Sequence, residues 1–421
     1  MNVITQMKRT AAEDALIDSY GVRVADLPGD AKVTVKRDEA VELLKAGLPT
    51  RKVEAWHYTD LRRLLASVPG FDLQAYAEPV EPLLAGASVL PVLNSVAGRA
   101  AAPDGAGLAT FAEGLASGEF AALLGATGHD DTVSTINSAL VADGFVLDIP
   151  AGAELAAPVE LQNVHGGGQA HSRFVVTTGA GAKATIVERQ TGSGAALVSS
   201  ISHLDVGDDA EINYLIIQEQ PQDVSYLGQI NISIGKGSRL TLFVMNTGGK
   251  LVRQEVRVVA EGEGSQFKLR GVNLLSGDSH TDVTMVLDHL APHTVSTETF
   301  RNVVTGKAEG VFQGQIRVAR NAQKTDAKMA CNTLLLSDEG SFSAKPELEI
   351  FADDVACGHG ATVTEIEHDH LFYLMARGIE EKVARGLLVK AFVAEVIEEL
   401  EDDAVVEALE AKIGAWFAEH G

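Results

Sequence analysis

Hydrophobic positions change their spacing twice along this chain. Residues 37–46 (RDEAVELLKA) put Val41 and Leu44 on one helical face that continues to Leu48, and Gly47 with Pro49 ends the run. Residues 52–65 carry Leu61, Leu64 and Leu65 at the same spacing, which predicts a second helix with Thr59 or Asp60 as its N-cap. Residues 91–128 shift to Ala, Gly and Pro with little periodicity, the composition of a linker or of a packing region that the pattern leaves undetermined.

In the middle the period becomes two, and the segments repeat. GAGAKATI from Gly179, GDDAEINY from Gly207, GKGSRLTL from Gly235 and GEGSQFKL from Gly262 recur at a nearly constant interval, with a weaker copy, AGAEL, from Ala151 one interval earlier. Each copy is a tight turn of small residues followed by an alternating strand, and further alternating runs such as 229–234 (QINISI) and 252–259 (VRQEVRVV) lie between them. One such unit cannot bury its apolar face. Stacking units at the strand spacing of about 4.8 Å closes a continuous core, which predicts a β-solenoid with a coil of about 28 residues. A β-sandwich with similar hairpins is the alternative. The repeat blurs after Leu275, although 314–318 and 347–350 still alternate.

After about Ile366 the helical period returns. Val389, Val393, Val396, Ile397 and Leu400 share one face, and Val405, Leu409, Ile413 and Trp416 share another beyond the acidic break at 401–403. Residues 379–421 hold 11 acidic and 4 basic side chains. Such a pair either caps the open end of a solenoid or docks a basic partner. The expected divisions are therefore a mainly helical region at 1–135 ending in the Ala/Gly-rich linker, a β core at 136–366 and a helical domain at 367–421.

Composition narrows the function classes. A net charge of −24 over 421 residues without a basic block argues against nucleic acid or an anionic membrane as partner. Aromatic residues make up 5% against 41 glycines, as expected of a narrow aliphatic tube that turns often. Two cysteines, Cys331 and Cys357, rule out a disulfide framework and any self-sufficient four-cysteine metal site. No run reaches the ~20 apolar residues of a membrane helix, and MNVITQMKRTAAEDAL lacks the apolar centre of an export signal, so a reducing cytoplasm is expected.

No Walker A loop, Gly-x-Ser-x-Gly elbow or dinucleotide fingerprint occurs. The densest group of metal-capable residues is Asp353, Asp354, Cys357 and His359, followed by His368 and His370. On an extended strand residues two apart share a side, so each pair could present two ligands together. Thiolate with imidazole suits iron, zinc or copper. His368 and His370 read more economically as solvated turn residues beside carboxylates. Cys331 precedes Cys357 by about one coil, so the sulfurs could be neighbours, although a buried apolar thiol is the simpler reading. Arg51, Glu54, Trp56 and Tyr58 form a cluster that partner binding or helix packing explains equally well. His289 and His293 have helical spacing in a β context, which argues against a metal site there.

These residues resemble the SufB/SufD family of iron–sulfur cluster assembly proteins. The matching pieces are Gln323-Lys-Thr-Asp-Ala327, Asn332 with Leu334-Leu-Leu-Ser337, Lys345-Pro-Glu-Leu-Glu-Ile350, Ala352-Asp-Asp-Val355, Cys357-Gly-His-Gly-Ala-Thr362, and Leu371-Phe-Tyr-Leu374 with Arg377-Gly-Ile379. Gly47-Leu-Pro49, Glu54-Ala-Trp56 and Tyr58-Thr-Asp-Leu61 match near the other end. The sequence departs in Gly358, where Ser is frequent, and in Thr364, where Gly is frequent; neither replaces a ligand atom. The resemblance implies a mainly β protein, a right-handed parallel β-helix between helical N- and C-terminal regions. It implies a scaffold without catalytic chemistry that pairs with SufB through the end of the β-helix and docks the ATPase SufC on its C-terminal helices. Cys357 and His359 would then contribute to a metal or nascent-cluster site shared with SufB, and Leu371, Phe372, Tyr373, Arg377, Gly378, Ile379, Leu387 and Phe392 would belong to the SufC-docking helices. The isolated chain is expected to bind no cofactor tightly, iron or a cluster being held transiently in the complex, and to be a monomer or a homodimer through the surface meant for SufB. The family does not vouch for His368 and His370. A β-helical carbohydrate-active enzyme is the competing reading from fold alone, with the missing export signal against it, and a metal hydrolase using Cys357, His359, His368 and His370 is a third.

Overall fold

A computed structural model describes residues 8–420 apart from 73, 127 and 129. Part of the opening segment that was read for an export signal, residues 1–7, therefore lies outside the described residues.

Sixteen strands between Asp143 and Glu365 alternate between two parallel sheets, so that each coil gives one strand to each. Sheet A runs from Val159–His165 to Ala356–Glu365 and sheet B from Asp143–Ile149 to Ser341–Ile350. This is the predicted solenoid and not a sandwich, because strand neighbours within a sheet are parallel and one coil apart in sequence. The sheets reach back into the N-terminal region: Ser88–Leu93 pairs with the first strand of sheet A, and Gly107–Thr110 lies antiparallel on the outer edge of sheet B. Residues 91–128 are thus not a loose linker. They also form helix α4 (Phe111–Ser117), with a Thr110–Glu113 capping box and buried Phe111 and Leu115.

The solenoid extends past the point where its sequence repeat fades. Gly152, Gly181, Asp209, Gly237, Gly264, His293 and Lys324 form a column of left-handed turn residues. From Gly181 to Lys324 each donates its N–H to a carbonyl of the following turn, for example Asp209 to Lys236 at 2.7 Å and His293 to Gln323 at 2.9 Å. In the last two turns His293 and Lys324 take the glycine position. The coil also lengthens toward the C-terminal end. Glu211 pairs with Arg239 early in the stack, whereas Val295 pairs with Asp326 and Glu309 with Ser341 near its end, so each late coil inserts a few extra residues into its turns.

Between the sheets lies a mainly aliphatic core with Phe300 and Phe312 in contact near the C-terminal end, their centroids 4.9 Å apart. An amide column, Asn163, Gln190, Gln218, Asn246, Asn273 and Asn302, runs in register along the inside of sheet A. Asn246 donates to Asn273 and Asn273 to Asn302, both at 2.7 Å. Asn163 likewise donates to Gln190 at 2.8 Å, and these cross-coil amide bonds favour the register, since a one-residue slip would turn them outward.

Helices cover both outer faces. On sheet B lie α1 (Ala11–Arg23), α2 (Ala31–Lys45), the short α3 (Leu61–Leu64) and α5 (Thr132–Leu140), packing Leu16, Leu44, Trp56 and Leu61 with Leu197, Leu227 and Leu251. The predicted helix at 37–46 starts earlier, because the Asp30 side chain accepts from the N–H of Val33 and caps it. The predicted helix at 52–65 is instead a 3-10 turn, Glu54–Trp56, followed by α3. Asp60 caps α3, whereas Thr59 is fully buried and hydrogen-bonded to Asp282 and His280.

After the solenoid come α6 (His368–Met375), α7 (Glu381–Glu398) and α8 (Asp403–His420). Val389, Val393, Val396, Ile397, Val405, Leu409, Ile413 and Trp416 pack on sheet A against Val187, Leu215, Ile217, Phe243, Val272, Leu274 and Val303. Burial of each such side chain contributes on the order of 2 kcal/mol before ordering costs. Arg270–Glu399, Arg301–Glu395 and Lys412–Glu219 pairs flank the contact. The helix pair therefore covers the side of the solenoid and not its end, so the capping reading does not hold.

Candidate functional site

The last coil has neighbours on one side only. Its strands, Ser341–Ile350 and Ala356–Glu365, end sheets B and A, and their outer edges pair with no strand among the described residues. Ile350, Phe351 and Val363 are exposed here. An unpaired parallel edge with apolar side chains is a template for another chain.

Register places Cys357 beside Ala327 and His359 beside Met329, and both neighbours are buried in the core. The period-two rule then turns Cys357 and His359 to the inner face of the terminal coil. Cys357 is half-buried against the core, and His359 is exposed. A Cβ added at Gly358 or Gly360 would meet nothing within 4 Å, so the backbone around the two donors is uncrowded. Burial pushes the Cys357 thiol up; the backbone of Ala327 pulls it down, while Asp326 and Glu298 push the same way as burial. A bound cation would lower it again.

Cys331 faces inward one coil away, opposite Ala361 and not opposite Cys357. Four strand positions separate its level from that of Cys357, about 13 Å, so the expectation of neighbouring sulfurs is not met. Cys331 is the buried thiol: its sulfur accepts from Asn302 at 3.3 Å, and burial pushes it up to about 12. Asp354 is tied up with Lys324 on the turn. His368 and His370 lie on α6 and not on a strand, so two-residue spacing points them apart. His368 stacks on Phe372, and His370 pairs with Glu367 at 3.3 Å. His289 is buried in the solenoid and His293 occupies a turn, so they share no helical face. No group of three or more His, Cys, Asp or Glu side chains is placed to hold a metal ion among the described residues.

The residues expected on the docking helices divide by exposure. Phe372, Tyr373 and Leu387 face outward, and the Arg377 guanidinium lies over the Tyr373 ring at 4.4 Å. Gly378 makes the left-handed turn between α6 and α7, with half-buried Ile379 after it. Leu371 is turned in and buried, and Phe392 is half-buried beneath Arg301. Met375 and Val383 are exposed as well, and a groove of about 790 Å³ lined by Leu336, Ile366, Val383, Leu387 and Phe417 runs between α7, α8 and the last coils. Sequence reasoning missed these because exposure of a helical face depends on what the solenoid covers.

Of the N-terminal cluster Trp56 is core packing, whereas Arg51 and Glu54 are exposed. Arg253 stacks over the buried Trp56 at 4.4 Å and donates to the carbonyl of Ala55 at 3.0 Å while pairing with Asp282 and Glu255. Glu54 reaches Lys345 on the last strand of sheet B, so this segment straps the helices to the terminal coil.

The chain is thus a parallel two-sheet solenoid with helices along its sides and a thiol and an imidazole on its open terminal strand. Residues 161–392, more than half of the chain, match the family model for the SUF system FeS cluster assembly SufBD core domain, and the chain belongs to that family. It is 26% identical to the iron–sulfur cluster assembly protein SufD of Escherichia coli over 393 residues, covering 89% of this chain and 90% of that protein. It is 28% identical to protein ABCI7, chloroplastic, of Arabidopsis thaliana, covering 86% and 81%. A SufBD family protein of Synechocystis sp. is 29% identical over 65% of this chain, which spans 64% of that relative's length. The reading of the ADDV-x-C-x-HGAT string at 352–362 as resembling SufD more than SufB agrees with a relative named SufD. No helix of the described residues is long and apolar enough to cross a membrane.

Proposed function

We propose that this chain is a SufD-type scaffold subunit that supplies part of an iron–sulfur assembly site and performs no catalysis alone. The observation that carries this reading is the inward-facing Cys357 and His359 pair on an unpaired terminal strand. Two donors fall short of the four ligands a cluster needs, so a second chain, SufB, adds its own donors across the open edge. Iron or a nascent cluster is then held at the interface only while the complex is assembled. The chain contains no phosphate-binding loop, so ATP hydrolysis belongs to SufC. The exposed face of α6 and α7, with Phe372, Tyr373, Arg377 and Leu387, is its docking surface.

Truncation after Gly378 would uncover the apolar face of sheet A, so point changes test docking more cleanly. The pair Phe372→Ser and Tyr373→Ser should abolish co-purification of SufC while SufB is retained. Retention of SufC at the wild-type ratio would place its contact elsewhere.

A further inference from the structure

The apolar groove of about 790 Å³ beside α7 has an unusual relation to α6. The chain leaves the groove wall at Ile366 and rejoins it at Glu380, yet residues 367–379 between those points contribute nothing to the lining. Both ends of the α6 segment are therefore fixed at the groove, while the helix itself stands outside it.

Little holds α6 where it stands. Leu371 is its one buried side chain, whereas Phe372 is 65%, Tyr373 56% and Met375 41% exposed. Its N-terminus has no side-chain cap. Among the described residues, the hydrogen bonds and ion pairs of 367–379 close within the segment itself: His370 pairs with Glu367, the N–H of Leu371 donates to the Glu367 carbonyl, and that of Ile379 to the Leu374 carbonyl. The ring contacts are equally local, His368 with Phe372 and Arg377 with Tyr373. The segment thus moves as a unit without breaking a polar tether to the solenoid or to α7. Its ends supply the pivots, extended backbone at Glu367 and the left-handed Gly378 at φ 84°.

We propose that α6 is a lid that closes on this groove, seating Phe372, Tyr373 and Met375 against Leu336, Leu387 and Phe417. Closure trades the burial of Leu371 for that of a methionine and two aromatic rings, roughly 150–250 Å² for each ring. The arrangement described above is the open one, and the closed one exchanges with it in the free chain. Closed, the lid hides the face assigned to SufC, so an undocked chain conceals its apolar side and docking selects the open state. That consequence rests on the docking reading; closure itself does not.

Disulfide trapping tests the lid in the full-length chain. Met375→Cys on α6 is combined with Ala418→Cys on the α8 wall of the groove, and Cys357→Ser removes the half-buried native thiol, Cys331 being buried. In the open arrangement α6 packs on α7 and makes no comparable contact with α8, and a disulfide needs Cα atoms within about 7 Å, so the bond reports closure. Mild oxidation should link 375 to 418 within one chain, read by peptide mass after digestion. Adding Phe372→Ser and Tyr373→Ser should slow the linkage at least about tenfold, because the buried rings drive closure. Two thiols that stay free and label with maleimide after oxidation overturn the proposal, as does a linkage rate unchanged by the two serines. The linked chain should also lose SufC capture and regain it on reduction. Linkage that leaves SufC capture unchanged would establish the lid and remove α6 from the docking surface.

Discussion

Replacing Glu298 by Gln should stabilise the protein, and only at high pH. Burial raises the Glu298 carboxyl from 4.5 to about 8, with Ser296 and Arg270 pulling the other way. Between those values the folded chain holds a proton that the unfolded chain has released, so folding stability falls as pH rises. Each pH unit in that window costs about 1.4 kcal/mol, which bounds the loss at about 5 kcal/mol; relaxation of the core brings it to ~2–3 kcal/mol. Above about 8 both states are ionised and the loss is constant, and below 4.5 it vanishes. Gln keeps the shape and removes the ionisation, so Tm at pH 8.5 should rise by roughly 2–4 °C over wild type, with little change at pH 4.5. Other buried carboxylates, such as Glu160 and Glu188, are also raised. They tilt both proteins alike, so the difference between variant and wild type isolates Glu298. Thermal scans from pH 4.5 to 9 measure it. An equal Tm difference at both ends of the range would refute the reasoning, because the effect would then be packing and not proton linkage.

Removing the Arg253 guanidinium by Arg253→Met leaves Asp282 charged and buried; a loss of about 3–5 kcal/mol in denaturant unfolding is expected, and a loss under about 1 kcal/mol would show that the strap does not depend on it. The double change His368→Ala and His370→Ala should leave cluster loading of the assembled complex unchanged, because both residues lie on α6 outside the terminal coil. Reduced loading with intact assembly would bring them back into the site.

Much of this structure is legible in the sequence because solenoids write their geometry as a period. The glycines at 179, 207, 235 and 262 announce the coil, and the valines of α7 announce the buried face. Legibility fails where a position is conformational and the residue type is free to vary. His293 and Lys324 occupy the same left-handed turn as Gly237, yet nothing in their side chains says so. Thr59 is a plausible cap by type and proximity, but the buried Asp282, far away in the chain, claims its hydroxyl. Of the candidate site, the Cys357–His359 spacing is visible, since alternation in a strand puts both on one side. Their terminal position on an open edge is not visible. Neither is the alignment of Met329 with His359, because it depends on the turn insertions that lengthen the last coils.

The most direct test of the central claim is cluster loading by the purified complex with SufB and SufC, reconstituted anaerobically and compared with the same complex carrying His359→Ala. Wild type should develop the visible absorption of an iron–sulfur cluster. The variant should retain its subunit composition and remain without that absorption. Equal cluster content in the two complexes would contradict the assignment of the terminal coil as the shared assembly site.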